Sequence, residues 1–565
     1  MSKKSLRFLI SFLIVFFLFL GIVYFTGKKI GKLYAGIPSI SSNTLVEVYF
    51  DKPVVERPPL IPFRNVTPFH RVIKALYHIP EDKNVKAVLV FGNKLPLNIA
   101  QIEELRDALD YIVKNGKKVF VYFDEIGTNY CVVPKGGEVI MHPTPGRYVA
   151  LSGYYTVQPM FKTLLEEKLG IKFTVTHIGN YKGAGEPFVR DKMSQYLKKE
   201  LIELYESDWD SMCEMISKAR GFNKNEFEKN LYDGKYFFLK KEDAKKSGFV
   251  DTFDLPENIE SRFNSTISIS SYSKTLSSLE TKPIALIIGE GEVVMGKEEP
   301  SVFGSTKSVI ASETMCKIIR RAADDNSVKA IVFRIDSPGG SALASELINR
   351  ELKKAAKKKP VIISVGHLAA SGGYYISSAG DEIIADRTSI VGSIGVVSLV
   401  PEITELSKRI GINFEEIKRG KFSDFFSPFK SPTDEEKQLL KKSMLEIYSL
   451  FKQRVAEGRK LDLKYVESIA QGRFYSGRKG LELKLVDRIG GLHEALVEAS
   501  KRAGLKSTDY TVFTARKSFW EMLQEDFNTK TDLNSLIENQ IKAIKRVSLK
   551  PLLLEPCLAM IDKGE

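Results

Sequence analysis

Apolar and polar residues fall in blocks along this chain. Two short apolar runs, Ala330-Ile331-Val332-Phe333-Arg334-Ile335 and Val361-Ile362-Ile363-Ser364-Val365, have the length and β-branched content of buried strands. Each runs into a glycine-bearing turn and then a helical pattern, through Asp336-Ser337-Pro338-Gly339-Gly340-Ser341 after the first and Gly366 to Gly373 after the second. Two longer stretches, Tyr196 to Gly221 and Asp434 to Gly458, space their apolar residues by helical turns with charge between them. They predict amphipathic helices that cover a sheet or join protomers. Strands alternating with helices imply βαβ units around a parallel sheet. The N-terminus differs: Phe8 to Phe25 is an uncharged apolar run of eighteen residues, preceded by Lys3, Lys4 and Arg7 and followed by Gly27-Lys28-Lys29. That length just spans a bilayer, and with no clear small-x-small cleavage site an uncleaved anchor over residues 1–27 is expected. Lys28, Lys29 and Lys32 nearly balance the preceding cations, so flanking charge leaves the orientation open.

The pattern also repeats. Val85-Lys86-Ala87 returns as Val328-Lys329-Ala330, and Gly137-Glu138-Val139-Ile140 as Asp381-Glu382-Ile383-Ile384. Gly170-Ile171-Lys172-Phe173 returns as Gly411-Ile412-Asn413-Phe414, and Pro187-Phe188 as Pro428-Phe429. The chain reads as two copies, residues 28–263 and 283–505, joined by a serine- and threonine-rich polar linker over 264–282 and followed by a tail, 506–565, with no evident task.

Candidate chemistry gathers at the turns. Ser371 lies between Ala369-Ala370 and Gly372-Gly373, where a tight strand-to-helix turn can hold a hydroxyl up for attack and the Gly372 amide can stabilise an oxyanion. The same small residues equally suit close helix–sheet packing. A second oxyanion donor is available at Gly339-Gly340, with Gly340 the better placed. The copies have diverged at these points. Ser371 falls opposite Gly127, while Gly339 and Gly340 fall opposite Leu97 and Asn98. Conversely, the stretch Gly179-Asn180-Tyr181-Lys182-Gly183 aligns with Gly420-Lys421-Phe422-Ser423-Asp424, so that Lys182 meets Ser423. His367, four residues before Ser371, has no acidic residue at triad spacing and reads as structural. Tyr374 and Tyr375, the first repeated as Tyr130, read as helix packing.

DSPGG, AASGGYY and GSIGVV, in this order and spacing, resemble the Clp-protease/crotonase superfamily, and within it the long, protease IV-type form of the signal peptide peptidase A (SppA) family. The resemblance covers roughly residues 45–505. It implies an α/β fold of duplicated Clp-protease/crotonase-like ββα domains with one N-terminal transmembrane helix. It also implies a serine endopeptidase with a Ser-Lys dyad and no cofactor: Ser371 as nucleophile, Lys182 as general base, and Ser393 of Gly392-Ser393-Ile394-Gly395 orienting the lysine. Taken from the residues alone, Ser393 is equally a strand-end turn hydroxyl. A free lysine, with a pKa of about 10.4, cannot take a proton from serine at neutral pH, so the base requires burial that lowers it by roughly three units. The front copy supplies the lysine and the back copy the serine. The resemblance further implies short hydrophobic signal peptides as substrates, a homotetramer enclosing its sites in a bowl, and a bacterial inner-membrane location, single-pass, with the catalytic bulk on the periplasmic side.

Two other readings remain. A crotonase-like acyl-CoA enzyme on the same fold needs acidic residues where Lys182 stands, and no CoA-binding motif is evident. A non-catalytic membrane scaffold fits the degenerate front copy, but retention of both Ser371 and Lys182 argues against it. Composition adds limits. With 565 residues and 43% hydrophobic content the chain can hold two or three cores. The net charge of +14 comes from lysines spread along the whole chain, with no basic-aromatic cluster, and reads as a solvated surface rather than a nucleic-acid face. Four scattered cysteines without CxxC and six histidines without HExxH give no expectation of a metal site.

Overall fold

The computed structural model describes residues 40–57, 66–144, 149–276, 282–298 and 308–514. The apolar run at residues 8–25 and the chain beyond residue 514 lie outside them. Among the described residues, no helix is long and apolar enough to cross a membrane.

The front copy is built on a six-stranded sheet. Its strands are β1 (Thr44–Val48), β2 (Val85–Phe91), β3 (Lys118–Phe123), β4 (Glu138–Met141), β6 (Thr252–Phe253) and β7 (Ser265–Ser268), while β5 (Lys172–Ile178) leaves the sheet altogether. The order is β6-β4-β3-β2-β1-β7 and every pairing is parallel. The back copy repeats the plan with β8 (Ile284–Glu290), β9 (Ala330–Ser337), β10 (Val361–Ala370), β11 (Glu382–Ala385) and β12 (Ile390–Gly392). A strand outside this sheet, β13 (Val396–Glu402), is followed by β14 (Phe474–Ser476), β15 (Arg488–Ile489) and β16 (Tyr510–Phe513). The main order is β14-β12-β10-β9-β8-β16, and β10 forks: its first half pairs with β11 and its end with β12. Strands buried on both faces, such as Val361 to Val365, read as continuous apolar runs because helices cover both sides of a parallel sheet.

The duplication is visible in side chains as well as topology. The Tyr130 hydroxyl donates to the Phe249 carbonyl at 2.6 Å in the front copy, and that of Tyr374 to the Leu485 carbonyl at 2.8 Å in the back. The two expected amphipathic helices are present, as Gln195–Arg220 and Asp434–Arg459.

Two expectations at the copy boundaries are corrected. Much of the linker expected over 264–282 is structured: β7 adds to β1, and the helix Ile269–Thr275 that follows buries Ile269 and Tyr272 completely. Serines that made this stretch look like solvated linker find hydroxyl partners, Ser265 Oγ lying 2.6 Å from Ser41 Oγ and 2.8 Å from Thr44 Oγ1 at the start of the front copy. The tail expected from residue 506 begins with β16, which completes the back sheet beside β8.

Among the contacts that join the copies, two are the most telling. The front strand β5 crosses to the back copy and pairs antiparallel with β13, Ile178 opposite Val396 and Lys172 opposite Glu402. The second is a buried ionic seam. Arg334 on β9, with no exposed surface, binds Glu56 and Glu104 of the front copy, and Arg387 and Thr388 bind Glu103. Buried charges persist only when paired in this way.

Candidate active site

Strand β10 ends at Ala370, and the next residue, Ser371, turns sharply into the helix Gly372–Ser377. Ser371 adopts φ 53° and ψ −119°, a left-handed conformation that costs a non-glycine residue about 1–3 kcal/mol. The surroundings hold it there: its amide donates to the Gly392 carbonyl, and its carbonyl accepts from Tyr375 N, each at 2.9 Å. The side chain is thereby lifted to a half-buried position at the sheet's end. Against it lies the loop after β9. A Cβ on Gly339 would meet Gly372 N at 2.5 Å and Ser371 Cβ at 2.8 Å, and a Cβ on Gly372 would meet Ser345 Oγ at 2.5 Å and Gly340 N at 3.2 Å. Only glycine lets the two turns close, and their closure brings the Gly340 and Gly372 amides together beside Ser371. Val293 clamps the loop, its amide donating to the Gly339 carbonyl and its carbonyl accepting from Ser341 N, both at 2.8 Å.

Lys182 arrives from the front copy. Past β5 the chain docks on the back copy through Tyr181 N, which donates to the Gln471 carbonyl at 2.9 Å. Gly472, at φ 83°, leaves no room for a side chain because a Cβ there would lie 2.6 Å from Lys182 N. Lys182 is only 6% exposed. Its Nζ donates to Ser393 Oγ at 2.8 Å and to the Ser393 carbonyl at 2.9 Å. Burial brings its pKa down from 10.5 to about 8, partly opposed by the charge of Glu200. Ser393 is itself left-handed, at φ 52°, with its amide donating to the Arg473 carbonyl at 2.6 Å.

The two halves of the site meet at Gly392-Ser393. Ala370 and Gly392 are register partners on neighbouring parallel strands, so Ser371 and Ser393 leave the sheet side by side. Gly392 holds the Ser371 amide and Ser393 holds the Lys182 amine. Among the described residues no hydrogen bond joins Lys182 Nζ to Ser371 Oγ. A neutral amine has two N–H bonds and one lone pair; with both N–H bonds directed at Ser393, the lone pair remains to accept a proton.

The remaining sequence candidates lie elsewhere. His367, half-buried on β10, donates its backbone amide to Asp336 Oδ2 at 3.3 Å. Gly127 precedes the short helical turn Thr128–Val132, and Ser423 is exposed with its hydroxyl donating to the Gly420 carbonyl at 3.1 Å. Tyr375 donates its hydroxyl to Glu346 Oε2 at 2.7 Å and is buried with Tyr374. Among the described residues, no group of three or more His, Cys, Asp or Glu side chains is placed to hold a metal ion. Sequence reasoning missed the Gln471-Gly472 turn that seats the lysine, and it missed Glu200, which is buried beside it. Glu200 did leave a signal: it sits three residues after Leu197 and four before Leu204, on the apolar face of the helix.

A model of peptidase family S49 matches residues 112–268 and 353–506, one segment in each copy. Serine protease SPPA, chloroplastic, of Arabidopsis thaliana is 30% identical over 451 residues, which is 77% of this chain and 65% of that protein. Protease 4 of Haemophilus influenzae is 28% identical over 455 residues, 76% of this chain and 72% of its own length. The putative signal peptide peptidase SppA of Enterococcus faecium is 34% identical over 195 residues, 34% of this chain and 56% of that protein.

Proposed function

The chain belongs to peptidase family S49, and from that premise we propose that it is a serine peptidase whose Ser-Lys dyad is divided between its two copies. One observation carries this reading: the buried, weakened amine of Lys182 and the strained Ser371 are fastened to consecutive residues, Gly392 and Ser393. In the reaction, neutral Lys182 takes the hydroxyl proton of Ser371 as its oxygen attacks the peptide carbonyl. The Gly340 and Gly372 amides receive the developing oxyanion. Lys182 then passes the proton to the leaving amine, and water, deprotonated by the same amine, releases the acyl group. Ser393 keeps the amine oriented throughout. Because the base must be neutral, kcat/KM should rise with pH through about 8.

The substrate and setting form the finer part of the proposal. The apolar run at residues 8–25 supports a single-pass membrane anchor; a bacterial inner-membrane setting with the catalytic bulk periplasmic, and short hydrophobic peptides such as released signal peptides as substrates, are what the family resemblance implies. A homotetramer is supported by the back copy's counterpart of the lysine arm, which leaves Ile410, Phe414, Ile417 and Phe426 exposed. The front arm covers itself by docking on the back copy of its own chain. The back arm would find the equivalent surface on the next copy, and head-to-tail repetition of that contact closes a ring.

Hydrolysis of a hydrophobic peptide by wild type, Ser371→Ala and Lys182→Ala tests the reading. Both variants should be folded and inert; turnover retained by either would overturn it.

A further inference from the structure

Glu200 lies on the front-copy helix Gln195–Arg220 with only 2% of its surface exposed. One carboxyl oxygen accepts the Phe474 amide at 2.7 Å, and the other has no hydrogen-bond partner. Phe474 is the register partner of Gly392, and Ser393 donates its amide to the neighbouring Arg473 carbonyl. The carboxyl is therefore attached to the strand that backs both anchors of the dyad. We propose that Glu200 is a positioning residue of the dyad: from within the seam it acts on the Lys182 amine and sets the pH at which that amine becomes a base. The inference rests on the Ser-Lys reading above.

A buried carboxylate with one amide donor and an open oxygen is poorly stabilised as an anion. Burial pushes Glu200 up to about 8, the same region to which burial brings Lys182 down, and each charge draws the other's ionised form out. Each group therefore bears on the other's titration through its charge. The other charges facing Glu200 are Arg473 and Glu203, which bind each other at the protein surface, while Arg473 also lies over the rings of Tyr181 and Tyr475. Removing the carboxylate takes away the anion that favours protonated Lys182, so the amine gives up its proton at lower pH.

The test is the pH profile of kcat/KM on a fluorogenic hydrophobic peptide, paired with the pH profile of Ser371 labelling by a fluorophosphonate. For Glu200→Gln the acidic limb should move to lower pH by about 0.5–1 unit, equivalent to roughly 3–10-fold more activity below the limb relative to its own plateau. Glu200→Asp, which keeps a charge, should stay nearer the wild-type limb, and Glu203→Gln should not move it. Should the glutamine variant fail to fold, Glu200→Met is read in the same way. A limb that superimposes on wild type, or an equal shift in the Gln and Asp variants, overturns the inference. Lys182→Ala separates the two claims: if it still labels and turns over, the dyad reading itself fails, whereas an inert Lys182→Ala with an unmoved Glu200→Gln defeats only the role of Glu200.

Discussion

Replacing Lys182 by methionine should remove activity and change stability in a pH-dependent way whose sign follows from burial. The folded chain lowers the lysine pKa from 10.5 to about 8. Below pH 8 both folded and unfolded lysines are charged, and the folded state carries the full cost of the buried ammonium, about 3 kcal/mol at pH 7. Between 8 and 10.5 the folded amine is neutral while the unfolded one is still charged, so the cost shrinks, to about 1.5 kcal/mol at pH 9.5. Methionine carries no such cost at any pH, but it leaves the Ser393 hydroxyl and carbonyl without their donor, a loss of about 1–3 kcal/mol that does not vary with pH. The absolute difference between variant and wild type is therefore small at pH 7. Its pH dependence is not: relative to wild type, the variant should lose about 2 kcal/mol of stability between pH 7 and 9.5. Melting of both proteins at the two pH values reads this as a double difference in which titrating groups that do not face Lys182 cancel, while Glu200, deprived of the lysine's charge, adds in the same direction. A variant-minus-wild-type melting difference that stays constant, or rises with pH, would refute the claim that Lys182 is held in a desolvated, weakened state.

Other outcomes follow from the same geometry. Ser393→Ala removes the hydroxyl that accepts from Lys182 Nζ and should lower kcat by roughly 10–100-fold with KM little changed, measured by steady-state kinetics. Gly372→Ala places a methyl 2.5 Å from Ser345 Oγ and 3.2 Å from Gly340 N, forcing the Gly340 and Gly372 amides apart; if these are the oxyanion donors, as proposed, kcat should fall about 100-fold or more while circular dichroism stays native. Arg334→Met leaves Glu56 and Glu104 buried without their cation and should destabilise the joined copies by about 3–5 kcal/mol, seen as a large drop in melting temperature.

Much of the site was legible in the sequence because its parts are local. Ser371 between small residues at the end of an apolar run, and the paired glycines after the preceding run, are turn chemistry written over a few positions. The strands β9 and β10 were visible for the same reason, although β10 continues five residues past Val365, through Gly366, because pairing with β12 supports its second half. What was not legible is set by contacts far apart in the chain. The cradle of Lys182 comes from Gln471-Gly472, the ionic seam joins Glu56 and Glu104 to Arg334, and no local pattern announces either. The serines of residues 265–271 misled in the opposite sense. Composition marked them as linker, whereas Ser265 pairs with Ser41 and Ser268 with Ser271, and Ile269 and Tyr272 between and beyond them are buried.

The central claim is that one chain's two copies jointly make a single reactive serine, and covalent trapping reaches it most directly. Wild type, Ser371→Ala and Lys182→Ala are exposed to a fluorophosphonate at pH 8.5 and the adduct is mapped by peptide mass spectrometry. The account predicts one adduct, on Ser371, formed in the wild type and lost in both variants. An adduct on any other residue, or Ser371 labelled at the wild-type rate without Lys182, would contradict it.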